Sequence, residues 1–330
     1  MPGLIASLLL GFGTSLAFAS LLYWLDRYEK EPLALLGGVF LWGAVVAAGA
    51  AFWLNTQFDL GIYLFSGSDF AARLATGSLL APLIEELLKG GAVLGVFLAF
   101  RSEFDSVLDG IIYAGVAALG FAATENAYYI YTYGFAQGGW GGLLLIAFIR
   151  ILLVGWQHPF YTAFTGIGLA LARLNRSWLV KVAAPLTGLS LAVFTHAFHN
   201  TVAGLLLGMG GMVVGAAFDW SGWLFMLGVI IWATGQERRM LQRQLEEEVQ
   251  AGLCSTAQYA TACSSWKQTV ARLAALLRGR YRATARFYQT CGDLAHKKEQ
   301  LSRLGEEGGN SAVIQRLRRD LAALAPSAQA

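Results

Sequence analysis

Three glutamates and three histidines lie in runs of sequence that are otherwise apolar. Glu85 and Glu86 sit in Ala81-Pro82-Leu83-Ile84-Glu85-Glu86-Leu87-Leu88-Lys89-Gly90, and Glu125 in Phe121-Ala122-Ala123-Thr124-Glu125-Asn126. His158 follows in Gln157-His158-Pro159, and His196 and His199 in Thr195-His196-Ala197-Phe198-His199-Asn200. Imidazole and carboxylate together can do two kinds of work. They can bind a metal such as zinc and leave one position for water. Alternatively, a glutamate activates water directly while His and Asn donors hold an oxyanion. Glu85, Glu86, Glu125, His158, His196 and Asn200 are therefore the candidate catalytic residues.

Local spacing adds detail. On a helix Lys89 is i,i+4 from Glu85 and i,i+3 from Glu86, so one glutamate can pair with it and the other is left for a different role. Such a Glu–Lys pair alone more often marks a salt-bridged helix end. A single buried histidine is usually a satisfied core residue. Three of them with three glutamates, spread over four apolar segments, are harder to explain in that way. His196 and Asn200 are i,i+4 and share a face, with His199 one step round. Pro159 is expected to kink its helix and free a backbone carbonyl near His158. Asp109 opens its segment and reads as interfacial.

The elements that position these groups are membrane helices. The chain of 330 residues is 56% hydrophobic and only 14% charged, against about 25% charged in soluble domains. A spanning helix needs about 20 predominantly apolar residues. Seven stretches qualify, at about 3–25, 33–54, 72–100, 106–133, 142–172, 182–208 and 212–234. The fold class expected is all-α: a polytopic bundle of about seven spans with a helical C-terminal tail. The longest connection, Gln57 to Phe70, has room for an interfacial turn.

Charge divides the chain in two. From residue 236 onward there are 15 Lys/Arg against 9 Asp/Glu, whereas residues 1–235 hold 9 basic and 12 acidic groups. The domains expected are a membrane region over 1–235 and a basic tail over 236–330. Arg27, Lys30, Arg101, Arg173, Arg176 and Lys181 all fall in connections on the tail's side of the bilayer. The opposite connections hold none, and Arg73 is only near an end. By the positive-inside rule this places the tail in the cytosol and the N-terminus outside. The three cysteines, Cys254, Cys263 and Cys291, form no disulfide framework and read as reduced thiols. The tail reads as helices over about 236–250, 257–290 and 311–324, with Gly308-Gly309-Asn310 as a break and Ser311 as a cap. Leu273, Leu276 and Leu277 share a face among Arg272, Arg278, Arg280, Arg282 and Arg286. That face suits either anionic lipid or the helix's own neighbours.

The ordered motifs Glu-Glu-x-x-Lys (Glu85, Glu86, Lys89), Phe-x-x-x-Glu-Asn (Phe121, Glu125, Asn126), His-Pro-x-x-Thr (His158, Pro159, Thr162) and His-x-x-x-Asn (His196, Asn200) resemble the PrsW family of intramembrane proteases. The Asp-Arg-Tyr-Glu-Lys-Glu-Pro loop, Asp26 to Pro32, also looks like that family, and the resemblance covers about residues 1–235. That family is similar to a wider group of CAAX-type prenyl endopeptidases and bacteriocin-immunity proteins. The resemblance implies that Glu86 or Glu85 activates water and that His196 with Asn200 binds the oxyanion. Two departures from the wider group, Glu125 in place of a histidine and the additional His158, make a metal site of Glu86, Glu125, His158 and His196 plausible, with Zn2+ as the ion. The implied activity is hydrolysis of peptide bonds in membrane-anchored proteins, regulators such as anti-sigma factors among them. The partners expected are a membrane-protein substrate and the lipid bilayer, with no nucleic acid. The alternative is a transporter or channel that uses the same groups as an ion or proton relay, although no inverted repeat supports it. A third reading is a non-catalytic scaffold whose tail binds a partner.

Overall fold

In lipid every backbone N–H and C=O must be satisfied within the chain, so long apolar runs become helices. The structure is a computed structural model and describes residues 1–26, 28–206 and 209–328. Arg27 and the end of the sixth expected span, Leu207 and Gly208, lie outside the described residues. All regular structure among the described residues is helical. They form two compact units, one of residues 1–25 and 31–229 and another of 26–30 and 230–330.

The first unit contains α1 (Pro2–Leu25), α2 (Leu33–Leu41), α3 (Ala48–Ser66), α4 (Asp69–Ala75), α5 (Ala81–Ala99), α6 (Val107–Tyr129), α7 (Ala136–Ala147), α8 (Gln157–Leu174) and α9 (Trp178–Leu205). Helix α10 (Met209–Gln250) contributes to both units. Among the described residues, five stretches are long and apolar enough to cross a membrane: Pro2–Leu25, Leu33–Ser66, Val107–Leu174, Trp178–Val202 and Gly210–Gln250. The expected span 72–100 corresponds to α4, a π-helical turn (Thr76–Leu80) and α5; Glu85, Glu86 and Lys89 make it more polar than the others. The expected spans 106–133 and 142–172 share the stretch Val107–Leu174, which folds at Gly139 (φ 58°, ψ −144°).

Two local expectations change. The turn anticipated between Gln57 and Phe70 is mostly helix, and α3 stops only at Gly67, whose φ of 67° ends it in the left-handed region. Pro159 does not kink a helix. It sits in the first turn of α8, after a break at 154–156, where the N–H that proline lacks would have no helical partner in any case. Asp109 belongs to the capping box that opens α6: its N–H donates to Ser106 Oγ at 3.2 Å, and Ser106 N–H donates to Asp109 Oδ2 at 2.7 Å.

Helix α6 is the centre of this unit. Every residue from Leu108 to Ala123 is buried, and α1, α2, α5 and α8 pack around it. Its sequence is rich in Gly and Ala, which lets backbones approach closely in a membrane. At the α6–α8 crossing a Cβ on Gly166 would fall 1.9 Å from the Gly110 carbonyl oxygen, so that contact admits only glycine. The outer helices present Leu9, Val45, Phe52, Leu144, Leu186 and Leu224 outward, as a lipid-facing surface must.

The second unit adds α11 (Thr256–Ala262), α12 (Ser265–Leu277), α13 (Tyr281–Leu304) and α14 (Asn310–Leu324). The helix expected over 257–290 is three elements, interrupted at Cys263-Ser264 and at Arg278–Arg280, where Gly279 has φ 68°. The last helix is capped by Gly309 rather than Ser311, whose hydroxyl donates to Glu306 Oε2 at 2.5 Å. Leu241, Leu245, Phe287, Leu294 and Leu321 form the core with the three free cysteines.

Candidate active site

The spacing of Glu85, Glu86 and Lys89 left open which glutamate the lysine would take. On α5 the pair is Glu86–Lys89, with Nζ 2.5 Å from Glu86 Oε1 and both side chains at 0% exposure. Helices α8 and α9 complete the shell. Thr162 Oγ1 donates to Glu86 Oε2 at 2.8 Å, and His196 Nδ1 lies 2.9 Å from Glu86 Oε1. Both oxygens of Glu86 are thus occupied. Because a carboxylate only accepts, the proton of neutral His196 sits on Nδ1 and its Nε2 carries the lone pair.

His158 is held from both sides: Lys89 Nζ lies 3.2 Å from its Nδ1, and Glu125 Oε2 lies 2.8 Å from its Nε2. The Lys89 charge also lies 4.7 Å from the centre of the Phe121 ring. One lysine therefore ties Glu86 to His158, and through them the turns that carry His196 and Glu125.

Glu85 is different. Asn55 Nδ2 donates to its Oε1 at 3.3 Å, but its Oε2 is buried without a hydrogen-bond partner. That oxygen lies 3.8 Å from His196 Nε2. Buried polar groups are almost always satisfied, so an orphaned carboxylate oxygen needs an explanation. Glu85, His158 and His196 each offer one ligand atom, all within 4.8 Å of one another. Two imidazoles and a carboxylate are a zinc-type donor set with a position left for water, and the orphaned oxygen fits it. The expected set also contained His158 and His196, but with Glu86 and Glu125. Glu86 here orients the His196 ring, a supporting role common around metal sites.

Glu125 accepts from Arg150 and lies against His158 Nε2, while Arg150 Nε donates to Asn126 Oδ1 at 2.9 Å. Its side chain keeps 20% exposure, and it faces a cavity of about 710 Å3 whose walls include Glu85, His158, His196, Arg150 and Asn200. Asn200 lines this cavity but donates through Nδ2 to the Gly77 carbonyl at 2.9 Å. Gly77 lies in the π-helical turn before α5, where the backbone ladder is locally disturbed. His199 reaches the cavity wall as well.

Several residues here escaped the sequence reading. Asp219 on α10 is 0% exposed; its Oδ1 accepts from Tyr161 at 2.6 Å and its Oδ2 lies 2.9 Å from His199 Nδ1. Tyr161 in turn stacks on His196, with ring centres 4.9 Å apart. An acidic residue in the middle of an apolar stretch was signal enough to find Asp219. Asn55 carried no such signal, because one amide near a helix end is unremarkable.

Comparison with known proteins gives a consistent result. Residues 31–234 match the family described as PrsW family intramembrane metalloprotease. A protein named Protease PrsW from Geobacillus kaustophilus is 30% identical over 156 residues, covering 47% of this chain and 62% of that relative. A protein of the same name from Bacillus subtilis is 26% identical over 237 residues, covering 71% of this chain and 94% of that relative. A third, from Clostridioides difficile, is 32% identical over 114 residues, covering 34% of this chain and 46% of that relative. No solved structure matches.

Proposed function

The chain belongs to the PrsW family of intramembrane metalloproteases, and from that premise we propose that it cleaves membrane-anchored proteins at a metal held by Glu85, His158 and His196. It is an intramembrane endopeptidase, and zinc is the ion its donor set suits. The observation that carries the metal assignment is the buried, unpartnered Oε2 of Glu85, beside the imidazoles of His158 and His196. When bound, such an ion supplies Lewis acidity and makes a water molecule more acidic.

The protein groups divide the remaining work. Glu86 holds the proton on His196 Nδ1 and keeps Nε2 turned toward Glu85. Lys89 neutralises Glu86 and holds the His158 ring by its Nδ1. Glu125, with its side chain 20% exposed against 9% for Glu85, is the more open of these two glutamates on the cavity wall, so it takes a proton from water and returns it to the departing amine. Arg150, paired to Glu125, offers a fixed positive charge where an oxyanion develops. The cavity, lined by Phe52, Tyr128 and Tyr129 besides the polar groups, accepts an unwound segment of a membrane-anchored substrate; regulators of the anti-sigma type meet that description. The basic connections orient the chain with its tail in the cytosol and its N-terminus outside. The transport alternative finds no support in the family match.

The test uses full-length protein in lipid nanodiscs with a single-span substrate, reading cleavage and bound metal together. Glu85→Gln and His196→Ala are expected to lose both metal and cleavage. Glu125→Gln is expected to keep the metal and lose cleavage. Normal cleavage by all three, or unchanged metal content in Glu85→Gln, would defeat the assignment.

A further inference from the structure

In the tail unit, α12 is turned inside out relative to an ordinary packed helix. Its buried positions are Gln268 and Ala275, and Gln268 is anchored there by donation to the Ala262 carbonyl at 2.8 Å. Its large apolar side chains point away: Trp266 is 75% exposed, Val270 48%, Leu273 58% and Leu277 90%. These four follow i, i+4, i+7, i+11 spacing, so they form one narrow stripe. The leucines therefore do not serve the tail's own core, which excludes one of the two roles the sequence left to this face. Four exposed large apolar residues in a row mark an interaction surface.

Three observations identify what covers it. From Ser255 to Gly292 the chain has no acidic residue and six basic ones, Lys267, Arg272, Arg278, Arg280, Arg282 and Arg286. Beside the stripe, Lys267, Arg278 and Arg280 help to line a hollow of about 490 Å3. The helix is also tied to the loop between the first two membrane helices. Ala271 of this helix packs on the core that contains Tyr28, a residue 1% exposed and three positions after the end of α1. That loop is seated firmly: a Cβ on Gly292 would fall 1.9 Å from the Tyr28 carbonyl oxygen, and His296 Nδ1 lies 3.0 Å from Glu29.

We propose that α12 is an interfacial anchor whose Trp266–Val270–Leu273–Leu277 stripe lies in an anionic lipid surface, with Lys267, Arg278 and Arg280 on headgroup phosphates. Apolar burial and attraction to anionic lipid reinforce one another in such helices, and tryptophan favours the headgroup level. Each basic residue near an anionic leaflet adds about fivefold to partitioning. The anchor fixes the tail, and through Tyr28 the loop after α1, to the bilayer that holds the substrate.

The test places an environment-sensitive fluorophore on Leu277→Cys in the full-length protein; the native cysteines are buried and stay unlabelled. The protein is compared in neutral phosphatidylcholine nanodiscs and in nanodiscs with phosphatidylglycerol. In the anionic discs the probe is expected to be shielded at least about threefold from aqueous acrylamide and to be quenched by doxyl-labelled lipid. A probe on Gln315→Cys, exposed on α14, is expected to stay open in both. Lys267→Glu/Arg278→Glu/Arg280→Glu is expected to reverse the shielding, and raising salt from about 0.1 to about 0.5 M should weaken it in the parent protein. A Leu277 probe equally open to acrylamide in both discs overturns the proposal. Shielding without doxyl quenching overturns it too, because protein rather than lipid would then cover the stripe.

Discussion

Both units of this protein bury charge, and they do so in opposite ways. In the tail, Glu248 is 0% exposed and every approach to it is matched: Lys298 Nζ lies 2.7 Å from Oε1, and Arg318 donates to both oxygens at 3.0 to 3.1 Å from Nε and at 2.8 Å from the terminal nitrogen. In the membrane unit, Glu86 is matched as fully, but its neighbour Glu85 keeps one oxygen without a partner beside the open nitrogen of His196. A saturated cluster has nothing left to offer a ligand, so its role ends with holding helices together. An unsaturated one has been desolvated without compensation, a condition that persists where a ligand or a reaction repays it.

Substitutions can break this comparison from either side. The largest effect is expected for Glu85→Gln, which should lower kcat/KM about 10^3-fold or more. In metal-free protein its thermal unfolding should barely move, because Oε2 has no partner to lose; a large fall in melting temperature there would show that Glu85 is structural. Glu248→Ala should do the reverse. It leaves Lys298 and Arg318 without their counter-charge and should destabilise the tail unit by about 3–5 kcal/mol. Hydrogen exchange of tail amides would report this, and unchanged protection there would refute saturation as a structural device. Glu86→Gln is expected to lie between the two, costing about 10- to 100-fold in metal affinity or activity because it loosens the His196 ring. If Glu86→Gln proved as damaging as Glu85→Gln in metal content, Glu86 would itself be a ligand.

The smallest effect concerns the tail cysteines. Burial pushes the thiols of Cys254 and Cys263 up to about 11. A thiol held above its unfolded value contributes stability that is fully present below about pH 9 and is lost as pH rises toward 11, because the unfolded chain ionises first. The tail should therefore resist alkylation at neutral pH and soften only in alkali. Rapid labelling of the folded protein at pH 7 would contradict this.

Much of the site was legible because lipid makes polar residues conspicuous. Glu85, Glu86, Glu125, His158 and His196 stood out against apolar surroundings, and all five meet around one cavity wall and its backing. Roles were less legible. Glu85 and Glu86 are adjacent, roughly 100° apart around a helix, and both can reach Lys89 by spacing alone. Which one faces Thr162 and His196 depends on how α5 is rotated against α8 and α9. Asn55 and Asp219 come from helices the motifs did not include. Tail boundaries were misjudged where Gly279 turns the chain inside an otherwise helical pattern.

Hydropathy and charge counting by themselves determined that this chain is a set of apolar helices with a polar, basic extension, because transfer into lipid is a property of short segments. They also determined which side chains are too costly to bury idly. The assignment of partners was left to the tertiary structure: which glutamate is saturated, which is orphaned, and which way the leucines of α12 face. Such choices depend on helix rotation and on neighbours distant in sequence, and no local pattern encodes them.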